Sequence, residues 1–438
     1  MMVASVADGP SPAAGASESR LPYRHVAAVA LGNALEFYDF LTFSFFAVPI
    51  GHVFFPSTNA TNSLLGSLVT FMVGFLTRPL GGIVIGMLGD RVGRRPAMLL
   101  SFGLMGVGIV GLALTPSYAA IGIAAPVMVV VFRMIQGFAL GGEVGPSTAF
   151  LVEAAPPERR GFYVSLQYAT QDAAILVAGL VGVVLSNLMD DAMLEAWGWR
   201  LAFLLGAAVV PFGLAMRRSL PETLHAPAAT ETPKSGGTSV RRIVLLGFFM
   251  LTATTISAYV IDYLTTYAIH TLAMPTNVAF GATVVAGLCG VIFEPLAGWL
   301  SDRVGRRRLM LPSIATVIVI VVPVFMALAR WRSAEALYAG TAVLGICQSL
   351  GVTPALVSLT ESLPRRIRSG ALATIYALAI GVFGGSAQAV VTELIDLTGS
   401  PIAPAWYMMG ALSLGIVAMA MMPETAPARI ARLSTSRS

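Results

Sequence analysis

Charge is scarce in this chain. Asp, Glu, Lys and Arg make up 11% of its 438 residues, and Lys234 is the one lysine. A soluble domain carries about 25% charged residues, so a water-solvated globule is excluded. Cysteine and histidine are scarcer, with 2 and 4 copies. Cys289 and Cys347 stand in apolar surroundings without ligand spacing. They read as small packing residues, so no disulfide framework and no metal site is expected. A nucleophile elbow, a phosphate-binding glycine loop and a His/Cys cluster are all missing, so the chain is expected to be neither an enzyme nor a cofactor carrier.

Apolar sequence takes the place of charge. The chain is 56% hydrophobic with a mean hydropathy of +0.80. Apolar runs of about 20 residues suffice to cross a hydrocarbon core about 30 Å thick. Such runs lie near 24–48, 63–88, 97–115, 119–141, 161–187, 199–216, 243–270, 278–300, 309–329, 334–357, 370–396 and 403–422. The expected fold class is an all-α membrane protein of twelve transmembrane helices. The formal charge is +5, which invites a nucleic-acid partner until its distribution is read. Arg200, Arg330 and Arg332 fall on one side of the stack, Arg78 and Arg133 fall inside helices, and the other basic residues fall on the opposite side. That asymmetry sets topology, with both termini cytoplasmic in a plasma membrane, and implies no nucleic-acid partner.

The chain repeats itself. Gly86-Met87-Leu88-Gly89-Asp90-Arg91-Val92-Gly93-Arg94-Arg95 returns as Gly298-Trp299-Leu300-Ser301-Asp302-Arg303-Val304-Gly305-Arg306-Arg307. Glu153, Pro156 and Arg160 return as Glu361, Pro364 and Arg368, and Pro221-Glu222-Thr223 returns as Pro423-Glu424-Thr425. Three markers repeated in one order mean a duplicated block. The expected organisation is a disordered tail over 1–21, a six-helix bundle over 22–217, a linker over 218–242, a second six-helix bundle over 243–425 and a tail over 426–438. Paired halves of this kind place a transport site on the seam between them.

The paired Gly-x-Leu-x-Asp-Arg-x-Gly-Arg-Arg loops resemble the signature of the major facilitator superfamily. Arg133-Met134-Ile135-Gln136-Gly137 is similar to its helix-4 motif. Within it, Gly32-Asn33-Ala34-Leu35-Glu36-Phe37-Tyr38-Asp39-Phe40, His52-Val53-Phe54-Phe55-Pro56, Arg78-Pro79-Leu80-Gly81-Gly82 and Trp197-Gly198-Trp199-Arg200 resemble metabolite–proton symporters, nearest to those for citrate and tricarballylate. The resemblance implies two pseudo-symmetric bundles and proton-coupled transport by a functional monomer. Asp172, Asp262 and Glu294 depart from the citrate carriers, which have neutral residues there, and Gln388 replaces a proline. These acids count against a polyanion and leave room for a coupling cation or a zwitterion.

Ionisable residues at mid-bilayer are costly and normally face a cavity or a partner. Along the first helix, Glu36 and Asp39 lie about 18 and 22 Å from Arg24 and share a face. Two carboxylates in poor solvent raise each other's proton affinity, which suits proton coupling; a fixed pair with Arg78 or Arg133 is the alternative. Arg133 lies about 20 Å deep on helix 4. It reads as an anion anchor, as a cation that drives protons off Glu36 and Asp39, or as a permanent helix brace. Arg78, beside Pro79, is either a second anchor or the brace of a kink. Asn33, Gln136, Gln167, Gln171, Tyr259, Asp262, Tyr376 and Gln388 complete the candidate lining, and His270 reads as interfacial.

The twin loops read as gating hardware. Gly86 and Gly89 allow close approach, Asp90 lies where helix 2 ends, and Arg91 and Gly93 belong to the same gating loop. Asp90 is placed to meet the positive N-terminus of a neighbouring helix. Arg94 is placed to pair with an acid of the helix 4–5 turn, such as Glu153 or Glu143, and Asp302, Arg306 and Glu361 repeat the set. The functional expectation is a proton-coupled importer of a small carboxylate such as citrate. The alternatives are a zwitterion or osmolyte symporter, and an exporter of drugs or metabolites on the same fold.

Overall fold

Inside a bilayer each segment has to satisfy its own backbone, and an α-helix does so alone. The computed structural model describes residues 34, 37–92, 94–141, 148, 151–152, 155–218 and 239–428, and no strand occurs among them. Both expected tails and the greater part of the expected linker lie outside the described residues.

The helices follow in order. α1 is a pair, Phe37–Phe45 and Ala47–Phe54, bent by 70°. α2 is Ala60–Leu76 continued by Arg78–Arg91, α3 is Arg94–Leu114, α4 is Ala124–Leu140, α5 is Arg160–Leu188 and α6 is Trp199–Arg218. α7 is Val240–Asp262 continued by Leu264–His270, α8 is Thr276–Val304, α9 is Arg306–Trp331 and α10 is Ala334–Ser362. α11 runs as Arg365–Leu378, a π-helical turn over Ala379–Gly384, and Gly385–Thr398; α12 is Ala403–Met421. Among the described residues, 8 helices are long and apolar enough to cross a membrane, and the bent α1 adds another. The shorter apolar α3 and α4, with α6, complete the twelve.

Proline explains two of the interruptions. Pro49 has no N–H for the carbonyl of Phe45, and its ring crowds that carbonyl, so α1 breaks at Phe46. Pro79 does the same to the carbonyl of Phe75, which instead accepts the Thr77 N–H. The Thr77 hydroxyl donates to the carbonyls of Gly74 and, on α4, Met134, each at 3.0 Å. The break in α2 is thereby tied to α4.

Among the described residues, α5 with α8 and α2 with α11 make the most extensive contacts between the first six helices and the last six, and α5 with α10 and α1 with α7 make smaller ones. α7 and α10 are central, with 67% of their apolar windows buried, whereas α9 has 28% and turns mostly to lipid. Close approach of α2 and α4 rests on glycine. A Cβ on Gly137 would overlap the Gly74 carbonyl, and one on Gly81 would overlap the Phe138 carbonyl. Backbone-to-backbone packing of this kind replaces the hydrophobic effect, which does not operate between helices in lipid. Gly137→Leu is therefore expected to lower stability by about 1–3 kcal/mol, read as an earlier thermal unfolding midpoint of the purified protein. Gly103→Ala, where a Cβ meets nothing within 4 Å, should leave the midpoint unchanged.

Candidate functional site

Phe40, on the first segment of α1, organises the buried cations. The Arg78 and Arg133 guanidinium carbons each lie 4.3 Å from its ring centroid. Arg78 also lies 4.2 Å from Phe75, and Arg133 lies 4.5 Å from Phe43 and 5.3 Å from Phe71. Arg133 is 0% exposed, and its Nη1 donates to Gln136 Oε1 at 2.8 Å. Its Nε and Nη2 have no hydrogen-bond partner among the described residues. Aromatic faces take the place of water here, and a desolvated cation–π contact contributes about 2 kcal/mol. Asp39 is 1% exposed, has neither carboxylate oxygen hydrogen-bonded among the described residues, and lies in electrostatic range of Arg133. Asn33 and Glu36 lie outside the described residues.

A cavity of about 120 Å³ lies beside this chamber. Its polar wall is built by Tyr168, Gln171 and Asp172 of α5, Tyr259 and Asp262 of α7, Glu294 of α8, Gln348 and Ser349 of α10, and Tyr376 of α11. Phe37 and Leu41 of α1 form part of its apolar wall. Of the residues singled out in the sequence, it brings together Gln171, Asp172, Tyr259, Asp262, Glu294 and Tyr376. Arg78, Arg133, Gln136, Gln167, Gln388 and Asp39 do not line it. Gln388 is buried elsewhere and accepts from the Ser44 hydroxyl at 2.6 Å. Tyr259 is the partition. Its ring meets Phe71 and Phe75 edge-on at 6.2 and 5.7 Å, and it lies in electrostatic range of Arg78, Arg133 and Asp262.

The cavity wall thus carries three acids, and no lysine, arginine or histidine appears among its described lining residues. Tyr168, Gln348 and Ser349 were not singled out in the sequence. Gln348 is held by Ser257, which donates to its Oε1 at 2.6 Å, and by the Thr254 carbonyl, which accepts from its Nε2 at 3.0 Å. The adjacent polar pair Gln348-Ser349 inside an apolar run was the available signal.

At the end of the bundle that carries the Asp-Arg loops, Asp302 closes α8 and meets the start of α5. Its carboxylate accepts the N–H groups of Gly161 at 2.8 Å and Phe162 at 3.1 Å. These are donors that a helix leaves open at its N-terminus. Arg306 reaches Asp302 at 2.7 Å and Glu361 at 3.3 Å, and its Nη1 donates to Ser301 at 2.6 Å. Glu424 accepts the first N–H groups of α9, from Arg306 at 2.9 Å and Arg307 at 3.1 Å, and Thr425 donates to Glu361 at 2.6 Å. The repeated Pro-Glu-Thr marker is therefore, in its second copy, a helix cap. In the first copy, Gly93, Glu143 and Glu153 lie outside the described residues. Gly86, Gly89, Asp90, Arg91 and Arg94 are described in backbone only, within α2 and α3.

A bundle of apolar helices around a central cavity with acids and tyrosines on its wall is the architecture of a membrane transport protein. Residues 25–227 match the sugar (and other) transporter family, and residues 243–437 match the Major Facilitator Superfamily. A citrate-proton symporter of Salmonella typhi is 34% identical over 404 residues, 90% of this chain and 92% of that protein. The alpha-ketoglutarate permease of Escherichia coli K12 is 35% identical over 90% of this chain and 91% of its own length. The proline/betaine transporter of the same strain is 30% identical over 92% and 83%. The crystal structure of a D-xylose-proton symporter superposes with a TM-score of 0.73 at 18% identity, covering 92% of this chain and 98% of that one. The chain belongs to the major facilitator superfamily, whose members are transporters rather than enzymes.

Asp302→Asn is expected to release the α5 start. Breaking a buried pair costs about 3–5 kcal/mol, so hydrogen exchange at the Gly161 and Phe162 amides should rise sharply while exchange in the middle of α10 stays slow.

Proposed function

We propose that this protein is a proton-coupled symporter of the bacterial plasma membrane that imports a small organic acid, such as citrate or a related di- or tricarboxylate. It works as a monomer with both termini in the cytoplasm. Its two six-helix halves, 22–217 and 243–425, rock about the central cavity and expose it to each side in turn. The observation that carries the reading is the burial of ionisable residues of both signs in two adjacent compartments at the bundle centre, three acids on the cavity wall and Arg78 and Arg133 beside it. The names of the citrate and alpha-ketoglutarate relatives support the solute class.

In this reading Asp39, with Glu36 three residues before it, exchanges the coupling proton. Asp39 is buried without hydrogen-bond donors among the described residues and in range of Arg133. Movement of the helices therefore changes whether its charge is tolerated. Arg133 and Arg78 supply the positive field for the substrate carboxylates, which they meet when Tyr259 swings aside. Gln136, Gln167, Gln171, Tyr376, Gln388 and Asn33 supply polar contacts along the path. Asp302, Arg306 and Glu361 latch the loop end, and Gly86, Asp90, Arg91, Gly93, Arg94 and Glu153 do so in the first repeat.

A second reading has its own observation: three acids and three tyrosines on the cavity wall. That lining fits the cationic end of a zwitterion such as proline or a betaine, through carboxylates and aromatic faces. The name of the proline/betaine relative agrees with it.

Proteoliposomes with an inward proton gradient should accumulate a di- or tricarboxylate, and a protonophore should abolish the accumulation. Uptake indifferent to the gradient removes the symport reading, and accumulation of betaine or proline in place of citrate selects the second. Arg133→Gln should weaken carboxylate binding at least about tenfold, the scale of one charge-assisted hydrogen bond. Asp39→Asn should keep solute exchange while losing gradient-driven accumulation.

A further inference from the structure

Asp172 of α5 and Glu294 of α8 carry no part of the carboxylate reading, yet they are built against each other. Gly290 lies one turn before Glu294, on the same face of α8. A Cβ on Gly290 would overlap the Oδ2, Cγ and Cβ atoms of Asp172, so the Asp172 side chain occupies the space that the missing Cβ leaves. One turn earlier, Gly287 admits the α5 backbone at Leu176 and Asp172. The helices therefore cross at this point, and the two carboxyl groups interact electrostatically across the crossing. Glu294 is 4% exposed, and its Oε2 has no hydrogen-bond partner among the described residues. Gln171, also buried and facing the same cavity, has its Nε2 without a partner among them.

Two ionised carboxylates held this close in a poor solvent repel each other. One proton converts the repulsion into a charge-assisted O–H···O⁻ hydrogen bond. A multivalent cation would need more oxygen ligands, and the described residues hold no group of three or more His, Cys, Asp or Glu placed to bind a metal. The groups facing the pair are Tyr168 on α5, Cys289 on α8, Asp262 and Tyr259 on α7, Ser349 and Gln348 on α10, and Tyr376 on α11. Not one of them is basic, so no fixed cation compensates the pair.

We propose that Asp172 and Glu294 share one exchangeable proton across the α5–α8 crossing, a second proton site apart from Asp39, and that the crossing closes only while that proton is bound. The proton enters from water when the helices part. It sits as an O–H of one carboxyl donating to the other, and it returns to water on reopening, leaving two carboxylates. The site does not depend on which solute is carried.

Infrared difference spectroscopy of the full chain in lipid nanodiscs, titrated from acid to alkaline pH in sodium-free buffer, tests this. The expected result is a buried carboxylic C=O band that disappears as pH rises. It should be missing from both Asp172→Asn and Glu294→Gln, and the double variant should lose nothing more. Asp39→Asn should retain this band, so a failure of the symport reading registers separately. Survival of that same band, the one Asp39→Asn retains, in either single variant overturns the proposal. So do two bands of which each variant removes one, and so does displacement of the proton by sodium at fixed pH. Thermal unfolding gives an independent check on the same samples. The midpoint of the unaltered protein should fall as pH rises through the band's transition, and the fall should be absent from both single variants; an equal fall in all three overturns the sharing.

Discussion

An ionised side chain in a helix bundle solvated by lipid has no water to replace its hydration, and the architecture of this protein follows from how each such charge is compensated. Two buried arginines of the first six helices, Arg78 and Arg133, are compensated by aromatic faces, with Phe40 within 4.3 Å of both guanidinium carbons. Arg306 is compensated by Asp302 and Glu361, and Asp302 in turn by the open amides at the start of α5. The cavity acids have neither aromatic cage nor basic partner on their wall. They differ from the other buried charges in the one respect that matters for transport, since a proton is the counterion that can come and go.

This division places opposite charges in adjacent compartments. Arg78 and Arg133 lie behind Phe40, Phe71 and Phe75, with Asp39 in range of Arg133, and three acids lie on the cavity wall, with Tyr259 touching both environments. A wall of rings between two charged regions is stable because each ring buries apolar area and presents a π-face to the guanidinium groups. The same wall is a movable one, because a tyrosine side chain turns about two torsions without breaking a backbone hydrogen bond. The broken helices sit nearby. Thr77 ends the first part of α2 next to Arg78, and the π-helical turn of α11 begins just after Tyr376. Irregular backbone at membrane depth is tolerated where it is buried in protein or lines a cavity.

Much of the fold was legible because it is written in one dimension. Apolar runs, the repeated Asp-Arg loops and the kink at Pro79 need only spacing and composition. The site was less legible because it depends on rotation about each helix axis. Arg133 and Gln136 share a face by spacing, but spacing does not say that this face meets Phe40 and Phe43 instead of open cavity. The same ambiguity hides Gln348 and Ser349, where a helix buried on nearly every side gives no amphipathic stripe to orient it. Asp172 and Glu294 stood out as charges in apolar runs, and their meeting required the α5–α8 crossing, which turns on glycines at 287 and 290.

That crossing also connects the cavity to the Asp302 cluster at the loop end. Gly290, Glu294, Gly298 and Asp302 recur at four-residue intervals along α8 and so form one continuous stripe. Gly290 receives Asp172, Gly298 meets the Gly161 carbonyl, and Asp302 caps Gly161 and Phe162. Glu294 and Asp302 are separated by about 12 Å of rise, two turns of a single helix. A helix transmits displacement along its axis far better than a loop does, because its backbone hydrogen bonds resist stretching. A change of repulsion between Asp172 and Glu294 therefore acts on the same two rigid bodies that the Asp302 cap holds together. Charge in the cavity and the Asp302 cap at the loop end thus load one joint.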